Sequence, residues 1–245
     1  MQWVFLHGFL GTGDDWAQVC AALGWGLERC FCPDLPGHGG EPLWEPVSYE
    51  GWTRWLAAKL DERGWQQVAL VGYSLGGRLA LAFAARWPQR VARLVLVSAH
   101  PGLEDRAARA QRARQDDRRA ARIRRQGLPA FLEAWYRLPL FDLETRPALR
   151  QALIARRSRQ QAEAMARVIA AMSPGRQPPL WDALAQLPLP VGYVAGERDA
   201  KYTAVAARVA RWPHVTAYII PQATHMVHLD APEALAAILW GGKGA

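Results

Sequence analysis

A serine flanked by glycines stands at the end of an apolar run: Val68-Ala69-Leu70-Val71 leads into Gly72-Tyr73-Ser74-Leu75-Gly76, and an amphipathic stretch starts at Leu75. G-x-S-x-G between a strand and a helix marks a sharp turn that holds a hydroxyl at a sheet edge, where the helix N-terminus favours negative charge. Such a hydroxyl works as a nucleophile or a base when an imidazole takes its proton and a carboxylate orients that imidazole, in the chain order Ser, Asp, His. Asp199 in Gly196-Glu197-Arg198-Asp199 and His225 in Ala223-Thr224-His225 each follow a predicted strand and fit those roles, with Glu197 and His228 as their rivals. In the first loop, Leu6-His7-Gly8-Phe9, the backbone N–H of Phe9 can join that of Leu75 in an oxyanion hole. His7 and His38 read as structural. Gly8, Gly11 and Gly13 do not make a dinucleotide loop, because Trp16 stands where the last glycine of G-x-G-x-x-G belongs.

The elements that must position these residues alternate. Apolar runs at Trp3–Leu6, Cys30–Pro33, Val68–Val71 and Arg93–Val97 are separated by amphipathic stretches at Asp14–Leu23, Tyr49–Arg63 and Leu75–Trp87. After Pro188 the pattern resumes with Val191–Ala195, a helix near Thr203–Arg211, Thr216–Ile220 and a last helix at Pro232–Trp240. Strand and helix in alternation predict a mostly parallel α/β sheet with helices on both faces. The stretch Glu104–Ala171, closed by Ser173-Pro174-Gly175, is helical throughout and reads as a cap inserted over the carboxyl edge of the sheet. The expected organisation is a core of residues 1–100 and 178–245 with a helical cap at 101–177.

Charge is concentrated in that cap. Of 245 residues 51% are hydrophobic, and the net charge is +8; residues 101–177 hold 17 Arg, no Lys and 8 acidic residues, a balance of +9, which leaves −1 for the rest. A basic segment confined to the cap points to an anionic ligand, with solvated helix arginines as the alternative. Nucleic acid is not expected, since no aromatic platform or groove-reading motif accompanies the arginines. No apolar run approaches the roughly 18 residues of a membrane span, and the N-terminus has no signal-peptide pattern. Cys20, Cys30 and Cys32 are odd in number, with no further metal ligands clustered beside them, and read as small core residues rather than a disulfide framework or metal site. A cytoplasmic protein, monomeric or weakly homo-oligomeric, is expected.

The chain resembles the alpha/beta-hydrolase fold family and, within it, the 2-succinyl-6-hydroxy-2,4-cyclohexadiene-1-carboxylate synthases of menaquinone biosynthesis. The resemblance spans nearly the whole chain and rests on Val4–Phe9, Asp34-Leu35-Pro36-Gly37-His38-Gly39, Val71–Arg78, His100-Pro101-Gly102-Leu103 and Gly196–Asp199. Tyr73 before the serine, Arg78 four residues after it, and His-Pro-Gly-Leu leading into an Arg-rich cap are its most particular parts. It implies a lyase that eliminates pyruvate from 2-succinyl-5-enolpyruvyl-6-hydroxy-3-cyclohexene-1-carboxylate without metal or organic cofactor. It also implies that Arg78, Arg112 and Arg157 bind the substrate carboxylates, with Tyr73 and Trp135 lining the pocket. Guanidinium suits that task physically, being a planar and permanently charged fork. Two departures are visible: Thr224 stands where this family usually has Gly, and the chain begins at what resembles the third strand of the full fold. The alternative is a carboxylic ester hydrolase using the same three residues, acting for example on an ester carried by an acyl-carrier protein.

Overall fold

The computed structural model describes residues 1–25 and 29–241. Its sheet has six strands in the order β2-β1-β3-β4-β5-β6, all adjacent pairs parallel. They are β1 Trp3–Leu6, β2 Cys30–Phe31, β3 Val68–Tyr73, β4 Val91–Val97, β5 Val191–Gly196 and β6 Val215–Ile220. Every residue of β1, β3 and β5 is buried, which is why these strands are continuously apolar rather than alternating: helices cover both faces. The connecting helices are α1 Ala17–Leu23, α2 Tyr49–Asp61 and α3 Leu75–Arg86, with α8 Ala200–Val209, α9 Val227–Asp230 and α10 Pro232–Gly241 later in the chain. From β1 the chain goes outward to β2 and then returns to β3 on the other side of β1, so the loops after β1 and β3 diverge and open a crevice at the carboxyl edge.

Between β4 and β5 lie α4 Arg106–Trp135, α5 Pro147–Arg157, α6 Ala162–Ala171 and α7 Trp181–Ala185, with no strand among the described residues. Helix α4 is broken at Gly127, whose φ of 77° and ψ of 168° no helix contains; Pro129 then falls in the first turn of the second piece, where its missing N–H is harmless. Among the described residues no helix is long and apolar enough to cross a membrane.

Three local readings shift. The helix expected from Asp14 opens as a 3-10 turn, Gly13–Trp16, before α1. The strand expected over Cys30–Pro33 pairs only at Cys30 and Phe31, so Cys32 lies beyond it and is only partly buried, with its sulfur 3.7 Å from that of Cys20; none of the three cysteines is in a disulfide. The helix expected near Thr203 starts at Ala200, directly behind Asp199.

Candidate active site

Ser74 occupies the turn between β3 and α3 with φ +51° and ψ −106°, a conformation that costs an L-residue about 1–3 kcal/mol and must be imposed by its surroundings. The glycines impose it. A Cβ on Gly72 would lie 2.5 Å from the Gly76 carbonyl oxygen, and one on Gly76 would lie 2.2 Å from that of Leu6, so only glycine lets α3 close against β3 and β1. The Ser74 N–H donates to the Val97 carbonyl at 2.9 Å, tying the turn to β4.

Around this serine the ends of β5 and β6 supply the other groups. His225 Nε2 is 3.2 Å from Ser74 Oγ, and its Nδ1 is 2.6 Å from Asp199 Oδ2. Asp199 stands at the N-cap position of α8 without capping it, because its carboxylate is turned to the imidazole. Glu197 instead accepts from the Gln222 backbone N–H on the exposed surface. His228, the rival imidazole, is fully buried in α9 with its ring 4.2 Å from that of Tyr73 and 5.2 Å from that of Trp16, and burial pushes its pKa down to about 3. Thr224 is accommodated without disturbing this arrangement: its N–H and hydroxyl both donate to Asp230 Oδ2, at 2.8 and 2.5 Å, while Arg146 holds the other oxygen of Asp230 at 2.6 Å. The His225 N–H donates to the Leu140 carbonyl at 3.1 Å, so the helical insertion fixes this loop as well.

Among the described residues no hydrogen bond consumes the N–H of Phe9 or of Leu75, and both residues border the serine. Behind them His7 is committed to structure: Nε2 accepts from the Leu35 N–H and Nδ1 donates to the Gly8 carbonyl, each at 2.8 Å.

One cavity, about 1060 Å³ including its mouth, lies between the sheet edge and the insertion. Phe9, Tyr73, Ser74, Leu75, Arg78, Arg112, Trp135, Arg157, Asp199 and His225, the ten residues singled out in the sequence, all lie on its wall. Arg78 is nearly buried, and its Nη1 donates to two neutral oxygens, the Tyr49 hydroxyl and, at 2.8 Å, the Met172 carbonyl. Trp135 is both wall and packing residue, with its ring 5.5 Å from Phe131 and 5.7 Å from Phe9. Arg157, named by the resemblance as a carboxylate binder, has its Nη2 paired with buried Asp15 at 3.0 Å. Burial alone would raise the Asp15 carboxyl, yet the guanidinium groups of Arg157 and Arg156 together leave it below the usual range.

The sequence reading missed several wall residues. Asp116 is fully buried and accepts from Arg112 Nε at 2.8 Å, Arg119 Nη1 at 2.7 Å and Ser173 Oγ at 2.6 Å. Spacings of four and three place Arg112, Asp116 and Arg119 on one face of α4, the only signal that could have found them. Lys201 and Tyr202 also line the cavity, the Tyr202 ring 4.7 Å from that of His225. They stand two and three residues after Asp199, in the first turn of α8, but their spacing alone does not tell which side chains of that turn face the cavity.

A buried serine–imidazole–carboxylate relay beneath a cationic, aromatic-walled cavity can abstract a proton or attack a carbonyl, and it can bind a polyanion while doing so. Comparison with known proteins gives the family. Residues 3–238 match the model of the alpha/beta hydrolase family. The chain is 39% identical over 240 residues to the 2-succinyl-6-hydroxy-2,4-cyclohexadiene-1-carboxylate synthase of Salmonella agona (strain SL483), covering 96% of this chain and 92% of that protein. It is 34% identical over 248 residues to Protein PHYLLO, chloroplastic, of Arabidopsis thaliana, where the match covers 94% of this chain and 14% of that much longer protein. The structure of MenH from S. aureus superposes with a TM-score of 0.91 at 28% identity, covering 98% of this chain and 92% of that one. The chain therefore belongs to the alpha/beta hydrolase family and, within it, to the 2-succinyl-6-hydroxy-2,4-cyclohexadiene-1-carboxylate synthases.

Proposed function

We propose that this protein is a carbon–oxygen lyase that eliminates pyruvate from 2-succinyl-5-enolpyruvyl-6-hydroxy-3-cyclohexene-1-carboxylate, with Ser74 as the base. The observation that carries this reading is the coincidence, in one cavity, of the Ser74–His225–Asp199 relay with Arg78, Arg112, Arg119, Arg157 and Lys201. A substrate with three carboxylates needs fixed positive groups, and a simple ester does not.

In the proposed reaction Ser74 Oγ takes the proton from the ring carbon next to the succinyl carbonyl and passes its own to His225 Nε2, while Asp199 holds the imidazole by Nδ1 and stabilises the imidazolium. The electron pair left on carbon delocalises onto the carbonyl oxygen, where the N–H groups of Phe9 and Leu75 receive the charge. It then returns through the ring, the ring carbon–oxygen bond to the enolpyruvyl group breaks, and a cyclohexadiene forms. The three-carbon unit leaves as an enolate, which gains a proton to become pyruvate, and no bond between serine and substrate is made.

Residues 1–100 and 178–245 act as the core and 101–177 as the cap in this proposal, which places the protein in the reducing cytoplasm as a monomer or weak homo-oligomer, with Cys20, Cys30 and Cys32 kept as thiols rather than disulfides. The test is to offer the purified protein this tricarboxylate beside a panel of short-chain aryl esters and follow pyruvate. Rapid pyruvate release with poor ester turnover is expected; rapid ester hydrolysis with no pyruvate would make the protein a carboxylic ester hydrolase.

A further inference from the structure

The cations of the cavity are not equally free to bind a ligand. Arg157 is balanced by Asp15, and Arg112 and Arg119 share Asp116. Arg78 donates to uncharged oxygens, and Lys201 makes no ion pair among the described residues. Two uncompensated charges therefore face the same space.

We propose that the ammonium of Lys201 is a further contact for a substrate carboxylate, held jointly with Arg78 and Arg112. Its position supports this. Lys201 lies in the first turn of α8, two residues after Asp199, and lines the cavity while part of its side chain stays exposed at the rim. Its Nζ is 5.3 Å from the centroid of Tyr202, whose ring in turn is 4.7 Å from that of His225, so an anion held there sits beside the reacting atoms. Loss of hydration, then repulsion from Arg112 and Arg78, pulls the lysine below its ordinary pKa against the attraction of Asp199. Like charges crowded at a cavity wall are stabilised when an anion enters between them. A lysine at the rim is a flexible point charge that can follow a carboxylate as it enters, in contrast to the arginine forks fixed by Asp116 and Asp15.

This assignment rests on the tricarboxylate reading above and is tested with the same substrate. Lys201→Met keeps length and removes charge, Lys201→Arg keeps charge, and Arg118→Ala on the exposed side of α4 is the control. Steady-state pyruvate release gives kcat and KM, and calorimetric titration of the substrate into Ser74→Ala and Ser74→Ala/Lys201→Met gives Kd without turnover. Lys201→Met is expected to raise KM and Kd on the order of tenfold, with kcat changed by less than about threefold, Lys201→Arg to restore most of the affinity, and the control to match wild type. Unchanged KM and Kd in Lys201→Met, with active wild type, would overturn the assignment alone. A loss confined to kcat, or one that Lys201→Arg does not repair, would likewise overturn it. No pyruvate release by wild type would overturn the lyase reading and this assignment with it.

Discussion

Ser74 carries a strained backbone and a hydroxyl 3.2 Å from an imidazole, and neither feature selects elimination over hydrolysis. In the proposed lyase reaction the set of charges around it makes that selection. Arg78 is one helical turn beyond the serine, and its donation to Tyr49 and Met172 fixes the guanidinium without neutralising it. Arg78→Ala should therefore lower kcat/KM for pyruvate release by about 2–4 kcal/mol, the scale of losing one partner of a desolvated charge pair, and Arg78→Lys should recover only part. Steady-state kinetics beside Arg118→Ala checks this; equal and small losses that vanish with added salt would mean that only the overall field of the cap matters. Arg78 was legible because its distance from the serine is fixed by one helix. Lys201 was not, although it stands two residues from Asp199, because no periodicity in the sequence tells which side chain of a first turn faces the cavity.

The elements divide the work between a rigid frame and an attached cover. The strand–helix alternation was readable because fully buried parallel strands are uninterrupted apolar runs, as in Val68–Tyr73, and the turn at Ser74 could be located from its glycines. The cover was readable only as helix. With nine arginines in α4, periodicity did not separate the inward pair Arg112 and Arg119 from outward ones such as Arg118; the resemblance alone named Arg112, and Arg119 came to light only with the burial of Asp116. The break at Gly127 and the tie from the 3-10 turn to α5 were equally hidden, since Asp15 and Arg157 are 142 residues apart. That tie joins cover to frame: Asp15 holds both Arg156 and Arg157, with Asp15 and Arg157 nearly inaccessible to solvent. Asp15→Ala leaves a buried guanidinium unpaired and should destabilise the protein by about 3–5 kcal/mol in denaturant unfolding, with kcat/KM falling as α5 loosens. A change below about 1 kcal/mol would mean that the pair behaves as a surface bridge.

Across the whole molecule, several histidines are buried in the neutral state. Burial lowers His7, drives His38 well below its ordinary value, and takes His100 to about 4 and His228 to about 3. Unfolding returns each to about 6.5, so between the two values the unfolded chain binds more protons and stability falls as pH falls. For His100 and His228 the full contribution is present above pH about 6.5 and is lost toward pH about 4 and about 3 respectively, at up to about 1.4 kcal/mol per pH unit for each group. Urea unfolding should show a plateau from pH 8 to about 6.5 and a decline from there to pH 4, shallower in His228→Leu; a flat profile across the whole range would contradict the neutral burial. A hydrolase frame beneath a cover with a net charge of +9 gives Ser74 two possible roles, as base or as nucleophile. Intact-protein mass spectrometry on samples quenched during the first turnovers, with pyruvate measured in parallel, distinguishes them most directly. With Ser74 acting as a base, pyruvate accumulates from the first turnover while the chain keeps its unmodified mass, and Ser74→Ala releases none. A transient adduct on Ser74 that forms and decays at the turnover rate would contradict the base role.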